Sequence, residues 1–230
     1  MKKLVVFLFA ILLALGSFAQ NLQTHYDMGK DRGYLTTTVE MFRPDKTGNT
    51  FFFIDMDYGS NGVENSPSLA YFEIARCFKI DKSPFSWHVE YNGGLGQGRV
   101  SGGTSYGYSI SNAWLTGIDY SWNATDFSKG FSLKVLYKNI ANTFDSKPNS
   151  FQLTGVWYLD FAKGKLRFDG FADLWREKTG FGTMIFLTEP QLWYNFTKKF
   201  AAGSEVEISN NFAGHNGFMI NPTAAVKYTF

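Results

Sequence analysis

The chain has 230 residues, with 22 Lys and Arg against 20 Asp and Glu, three His and one Cys. So even a balance of charge recruits no nucleic acid by bulk attraction, a single cysteine excludes an internal disulfide, and no Cys or His spacing along the chain matches a metal motif or calls for a cofactor. Aromatic residues are dense instead, with 24 Phe, 12 Tyr and 6 Trp.

The first element is a targeting segment. Lys2 and Lys3 precede the apolar run from Leu4 to Leu15, and Gly16, Ser17, Phe18 and Ala19 follow, with small residues placed for a cut after Ala19. That pattern predicts a secretory signal peptide over 1–19, too short in its apolar part to span a bilayer as a helix. Its removal takes two bases and no acids, so the mature chain, 230 − 19 = 211 residues from Gln20, has a net charge of 22 − 2 − 20 = 0. No later stretch approaches the roughly 18 consecutive apolar residues of a membrane helix.

From Gln20 onward the dominant period is two. "FFFIDMDY" sets Phe52, Ile54, Met56 and Tyr58 against Asp55 and Asp57. "FSWHVEYN" sets Phe85, Trp87, Val89 and Tyr91 against Ser86, His88, Glu90 and Asn92. The pattern predicts twelve strands, at 21–28, 33–43, 49–58, 69–79, 85–93, 107–122, 130–140, 150–161, 164–176, 183–196, 201–211 and 218–230. Turn chemistry such as "PDKTGN", "DSKPN" and "AGHNG" separates them. An even strand number puts both termini on one side of a closed up-and-down barrel. The connections on the other side include the longest, at 59–68 and at 94–106, the latter within the glycine-rich "GGLGQGRVSGGTSYG". Short turns on one side and long loops on the other match an outer-membrane barrel.

Alternation alone does not decide which face is outside, because a soluble barrel buries the apolar face and a membrane barrel shows it to lipid. Strand number and length favour the membrane. So do Tyr58, Trp87, Trp122, Tyr137, Tyr194 and Tyr228, amphipathic rings near strand ends on the apolar face. The last segment favours it too. It alternates apolar residues down to Phe230, resembling the C-terminal signal that barrel-assembly machinery reads. The expected fold is therefore all-β, a 12-stranded antiparallel up-and-down transmembrane β-barrel over 20–230 in the cell outer membrane, monomeric and in contact with outer-membrane lipid. Arg76 conflicts with this reading, since parity puts it on the lipid face beside Ile74 and Phe78; a bulge or an early strand end near 75 would resolve it.

The stretches "YLTTTVEMF", "FFFIDMDYG" and "SLAYFEIARCFKIDK" resemble the N-terminal half of the Tsx-like nucleoside-specific channel family. A Tsx-related branch of outer-membrane barrels is similar over nearly the whole mature chain, through "HVEYNGGL", "FQLTGVWYLDF", "GFADLWRE", "FLTEPQLWYN", "GSEVEISNNFAG" and "PTAAVKYTF". The resemblance implies a channel for nucleosides and singles out Asp55, Asp57 and Glu73. Fold carries over in such comparisons better than substrate does.

A barrel of this size has a narrow lumen. Parity lines it with acids, among them Glu40, Asp55, Asp57, Glu73, Glu90, Asp119, Asp169, Asp173, Glu189, Glu205 and Glu207. Lys134, Lys138 and Arg167 are fewer, and His25 and His88 join them. Tyr34, Tyr71, Tyr158, Phe171, Trp175 and Trp193 also point inward. Acids accept from ribose hydroxyls and aromatic faces stack on a base. The candidate solute-binding residues are thus Glu40, Asp55, Asp57, Glu73, Glu90, Asp173, Trp175 and Glu189. The alternatives are that these charges cross-link a closed barrel acting through its loops, or that the barrel is an enzyme. For the enzyme, no Gly-x-Ser-x-Gly elbow occurs, no carboxylate pair stands out, and Cys77 reads as an inert strand residue. N-terminal sequencing of the exported protein should read Gln-Asn-Leu-Gln; a chain still starting at Met1 would remove the signal peptide.

Overall fold

The computed structural model describes residues 20–64, 66–100, 103–141 and 148–230; the signal segment lies outside them. Thirteen strands form one antiparallel sheet: β1 Gln20–Asp27, β2 Leu35–Asp45, β3 Gly48–Tyr58, β4 Pro67–Lys79, β5 Phe85–Arg99, β6 Ser105–Asn123, β7 Lys129–Ile140, β8 Asn149–Phe161, β9 Leu166–Arg176, β10 Met184–Thr188, β11 Gln191–Asn195, β12 Phe200–Asn210 and β13 Phe218–Thr229. Among the described residues there is no helix.

The sheet is closed. β13 pairs with β12 and with β1, from Asn21 opposite Thr229 to Asp27 opposite Thr223. β10 and β11 are two halves of one barrel strand, because both pair with β9 and β12 in unbroken register. The interruption is Glu189–Pro190. Pro190 accepts from the Val206 amide at 3.0 Å but has no N–H to return. Opposite it, Gly170 is required, since a Cβ there would come within 2.5 Å of the Glu189 carbonyl oxygen. The barrel is therefore built of 12 strands, and the segment expected over 183–196 is that composite strand.

Two expectations need correction. The glycine-rich stretch is mostly strand, because β5 runs on to Arg99 and β6 begins at Ser105. The tyrosines opposite supply the missing packing: the position of a Cβ on Gly96 falls 2.1 Å from the Tyr108 ring, and that on Gly98 falls 2.5 Å from the Tyr106 ring. Here glycine makes room for a cross-strand aromatic rather than breaking the strand. The β3–β4 connection leans on this hairpin, with the Arg99 amide donating to Asn61 O at 3.0 Å and Gln97 Nε2 to Pro67 O at 2.7 Å.

Arg76 is the second. There is neither a bulge nor an early end around 75, for Arg76 pairs with Thr50 and Val89 in a regular ladder. Parity is right and depth resolves the conflict. Arg76 lies beside the tight β2–β3 turn at the rim, where its guanidinium donates to Asp45 at 2.6 and 2.9 Å and to Thr47 Oγ1 at 2.6 Å, above the Phe78 ring.

The faces are inverted relative to a soluble barrel. Outward residues such as Ile74, Trp87, Trp114, Leu133, Val135 and Tyr137 are exposed, while Gln23, His25, His88, Asn92, Asp119 and Asn221 are buried. Such a belt is satisfied by lipid and not by water. The inside is not wholly polar. Leu115, Leu136, Ile140, Trp175 and Ile185 form an apolar cluster toward the long-loop end, joined by Leu187 and Phe212, and Trp193, Ala201 and Ala225 form a second toward the termini. Val135, 64% exposed near the middle of β7, tests the inversion. Val135→Arg should lower folding stability in lipid bilayers by about 2–4 kcal/mol, read by denaturant titration; an unchanged midpoint would show that this face does not meet the membrane.

Candidate functional site

The lumen has two unlike walls. One is built by β2, β3 and β4, whose register sets inward residues side by side in rows. Glu40 lies opposite Phe53, which lies opposite Glu73; Thr38 lies opposite Asp55, which lies opposite Tyr71; Thr36 lies opposite Asp57, which lies opposite Leu69. Acids and aromatics thus occupy adjoining positions. The rings form a continuous stripe, Phe51 to Phe53 at 6.0 Å and Phe53 to Tyr71 at 5.9 Å between centroids. All of these side chains are only half-buried, so the wall is not sealed by packing.

The carboxylates on this wall are lightly held. Asp55 accepts from Thr38 Oγ1 at 2.5 Å and Asp57 from Thr36 Oγ1 at 2.8 Å. Glu73 accepts from the Tyr71 hydroxyl at 2.7 Å and Glu40 from Asn21 Nδ2 at 2.9 Å. A carboxylate can accept about four hydrogen bonds, so each retains capacity for a solute. Across the lumen Glu189, set at the break between β10 and β11, faces the same wall. Its side chain is half-buried and makes no hydrogen bond among the described residues, and its electrostatic neighbours are Glu205, Asp55, Glu207 and Glu73.

The other wall, β5 to β9, is cross-linked. His88 Nε2 bonds Glu90 at 2.9 Å, Asn92 Nδ2 donates to Glu90 at 3.3 Å, and Lys138 Nζ donates to Gln152 at 2.7 Å. Asp173 accepts from Thr154 and lies in the field of Lys138 and Lys134. Trp175 donates to Glu177 at 3.0 Å and is covered by Lys138 Nζ at 4.5 Å and by the edge of Phe212. The eight residues expected from sequence therefore divide: Glu40, Asp55, Asp57, Glu73 and Glu189 surround the accessible wall, Glu90 and Trp175 are packed into the other, and Asp173 lies on that other wall half-buried, with one Thr donor like Asp55. Phe51 and Phe53 were absent from that set, although their parity with Asp55 points them inward.

At the long-loop mouth the β1–β2 connection is tied over β13 to β12. Arg32 donates to Asp27 at 2.7 Å and to Glu207 at 2.9 Å. Burial works against the guanidinium charge, but the two carboxylates outweigh it and hold its pKa above the ordinary value. Burial, with the nearby Asp57, pushes the Tyr34 phenol up to about 12, so it remains a neutral donor at the mouth. Glu207 also accepts from Ser209 and Asn221, which makes it structural.

The family model described as "Domain of unknown function (DUF5020)" matches residues 19–230. The chain belongs to that family. No curated protein matches it. Among solved structures, the "KdgM porin" is similar at 13% identity and TM-score 0.52, covering 92% of this chain and 99% of that one. The "NanC porin" is similar at 12% identity and TM-score 0.59, covering 92% and 100%. At these identities the likeness establishes the fold, that of 12-stranded outer-membrane porins, and leaves the solute open.

Glu189 separates the two walls experimentally. With like charges around it and no hydrogen bond, Glu189→Gln should leave stability unchanged or raise it, whereas Glu90→Gln should lower it by about 1–3 kcal/mol by disrupting buried hydrogen bonds. Denaturant titration of both variants in one detergent checks the contrast, and a loss at Glu189 as large as that at Glu90 would contradict it.

Proposed function

We propose that the protein is an exported, monomeric outer-membrane channel for passive diffusion of nucleosides or similar small neutral or cationic solutes, which travel along the β2–β4 wall. The observation that carries this reading is the adjoining placement of acids and rings: Glu40, Phe53 and Glu73 in one row, Asp55 and Tyr71 in the next. A base stacked on Phe53 or Tyr71 gains about 1–3 kcal/mol, and the sugar hydroxyls donate to the carboxylate one position away. Several such weak positions in series let a solute enter without trapping it. The resemblance of "FFFIDMDYG" and "SLAYFEIARCFKIDK" to Tsx-like channels supports the solute class, because it falls on the strands that build this wall.

Charge argues against a polyanion. A structure of the KdgM porin is described as a complex with "disordered oligogalacturonate", a chain of sugar acids. Here the accessible wall and Glu189 together present carboxylates with few bases, a field that repels sugar acids and phosphorylated nucleosides. Export through the 1–19 signal and assembly through the strand ending at Phe230 complete the proposal. The packed apolar clusters inside the barrel favour a second reading, a closed barrel that acts through its β3–β4 and β5–β6 loops.

Planar bilayers with the purified protein distinguish the two. Cation-selective conductance, blocked by nucleosides and not by nucleotides, is expected. Replacing Asp55 and Asp57 together by Asn should weaken that block about tenfold, the loss of roughly one charge-assisted hydrogen bond, with heat-modifiable migration intact. Absence of conductance and of block would leave the closed-barrel reading, and loss of the folded band would make these acids structural.

A further inference from the structure

Sequence spacing predicts no metal site, yet the register of three neighbouring strands brings together three different ligand types. Cys77 Sγ on β4 lies 3.2 Å from His88 Nδ1 on β5 and 3.4 Å from Asp119 Oδ2 on β6. The three ligand atoms fall within 4.8 Å of one another. Edges of about 3.5 Å are what a tetrahedral zinc ion with bonds of about 2.0–2.3 Å requires of its sulfur, nitrogen and oxygen ligands. We propose that Cys77, His88 and Asp119 form a binding site for a divalent zinc-class ion inside the barrel wall, toward the end that carries the termini.

Each ligand is already oriented by a second residue. His88 Nε2 is 2.9 Å from Glu90, whose carboxylate holds the Nε2–H and leaves the Nδ1 lone pair directed at the site. Such a carboxylate–histidine pair is the usual support of a metal-bound imidazole. Asp119 Oδ1 accepts from Ser121 Oγ at 3.1 Å, freeing Oδ2. All three ligands are buried, with His88 at 0% exposure, so a Cys–His pair at this place has no room for a substrate and a nucleophilic role is excluded by access. A thiolate, an imidazole and a carboxylate suit zinc over magnesium or calcium, which prefer oxygen alone.

Charge also closes with the ion in place. Lys134, paired with Asp119 across β6 and β7, lies in electrostatic reach of Cys77, Asp119 and Glu90. Without an ion and with a neutral thiol, Asp119 and Glu90 face Lys134, while Lys138, which also acts on Glu90, is offset by Asp173. Binding displaces the thiol proton to solvent, and the thiolate and two carboxylates then balance the divalent ion and the ammonium. Cys77 in this reading is a ligand in a polar setting, not a small apolar filler.

Cobalt(II) titration of the reduced, chelator-free, detergent-folded protein tests the site. One equivalent should produce a thiolate-to-cobalt charge-transfer band with the visible bands of tetrahedral cobalt, displaced by zinc. Cys77→Ser should abolish the charge-transfer band. Glu90→Gln should retain it with affinity weakened about 10–100-fold, and Ser121→Ala serves the same purpose for Asp119 if the Glu90 variant does not fold. No charge-transfer band in wild-type protein that migrates as folded, or a band that survives Cys77→Ser, would overturn the proposal. Nucleoside block is scored separately, so the channel reading can fail while this one stands.

Discussion

A bilayer offers the backbone no hydrogen-bond partner, and the rest of this structure follows from that. Every strand must be paired on both sides, so the terminal strands must find each other. β13 does so through an unbroken register with β1 while holding β12 on its other edge. Near the closure the chain tolerates defects: on β12 the Glu205 amide turns to the Thr223 hydroxyl instead of the ladder. At Glu189–Pro190 a ladder bond is missing, but both flanking strands keep register across the break and Gly170 removes the clash it would create.

Closure with the apolar side outward turns the usual core inside out. Polar groups that would be costly in a dry interior satisfy one another, as His88, Glu90 and Asn92 do along β5, Lys138 and Gln152 between β7 and β8, and Arg32 with Asp27 and Glu207 on β1 and β12. The interior is nevertheless asymmetric. β5 to β9 carry bases, amides and an apolar cluster that pack together, and β2 to β4 carry acids with one or two partners each and half-exposed rings. A wall where bases, amides and apolar side chains pack around the acids, as at Glu90, contributes rigidity. A wall whose acids keep free acceptor capacity can exchange its partners with a passing solute. That difference, more than the number of charges, is what distinguishes a candidate path from structural filling.

Fold likeness at these identities does not choose a solute. Here the choice rests on local chemistry. Carboxylates next to aromatic faces suit a ring that bears hydroxyls and repel one that bears anions. The cross-strand grouping of Cys77, His88 and Asp119 shows the same principle at a smaller scale, since three strands each supply one unremarkable residue and only their register makes a site.

Much of the architecture was legible along the chain, because side-chain alternation is a local property: it marked the strands, separated Asp55 and Asp57 from Phe52 and Ile54, and put both termini on one side. Parity also pointed Glu189 inward without revealing that it would stand unpartnered. What the sequence could not decide were properties of pairs and of depth. Glycine in "GGLGQGRV" reads locally as loop, and the rings of Tyr106 and Tyr108 on the facing strand make it strand. Arg76 reads as a charge in lipid, and its distance from the β2–β3 turn makes it a rim residue held by Asp45. The sequence by itself therefore determined which face of each strand is greasy, since that follows from a period of two. The tertiary structure alone decided which polar groups meet, since that depends on the register between strands and joins residues as far apart in the chain as Cys77 and Asp119.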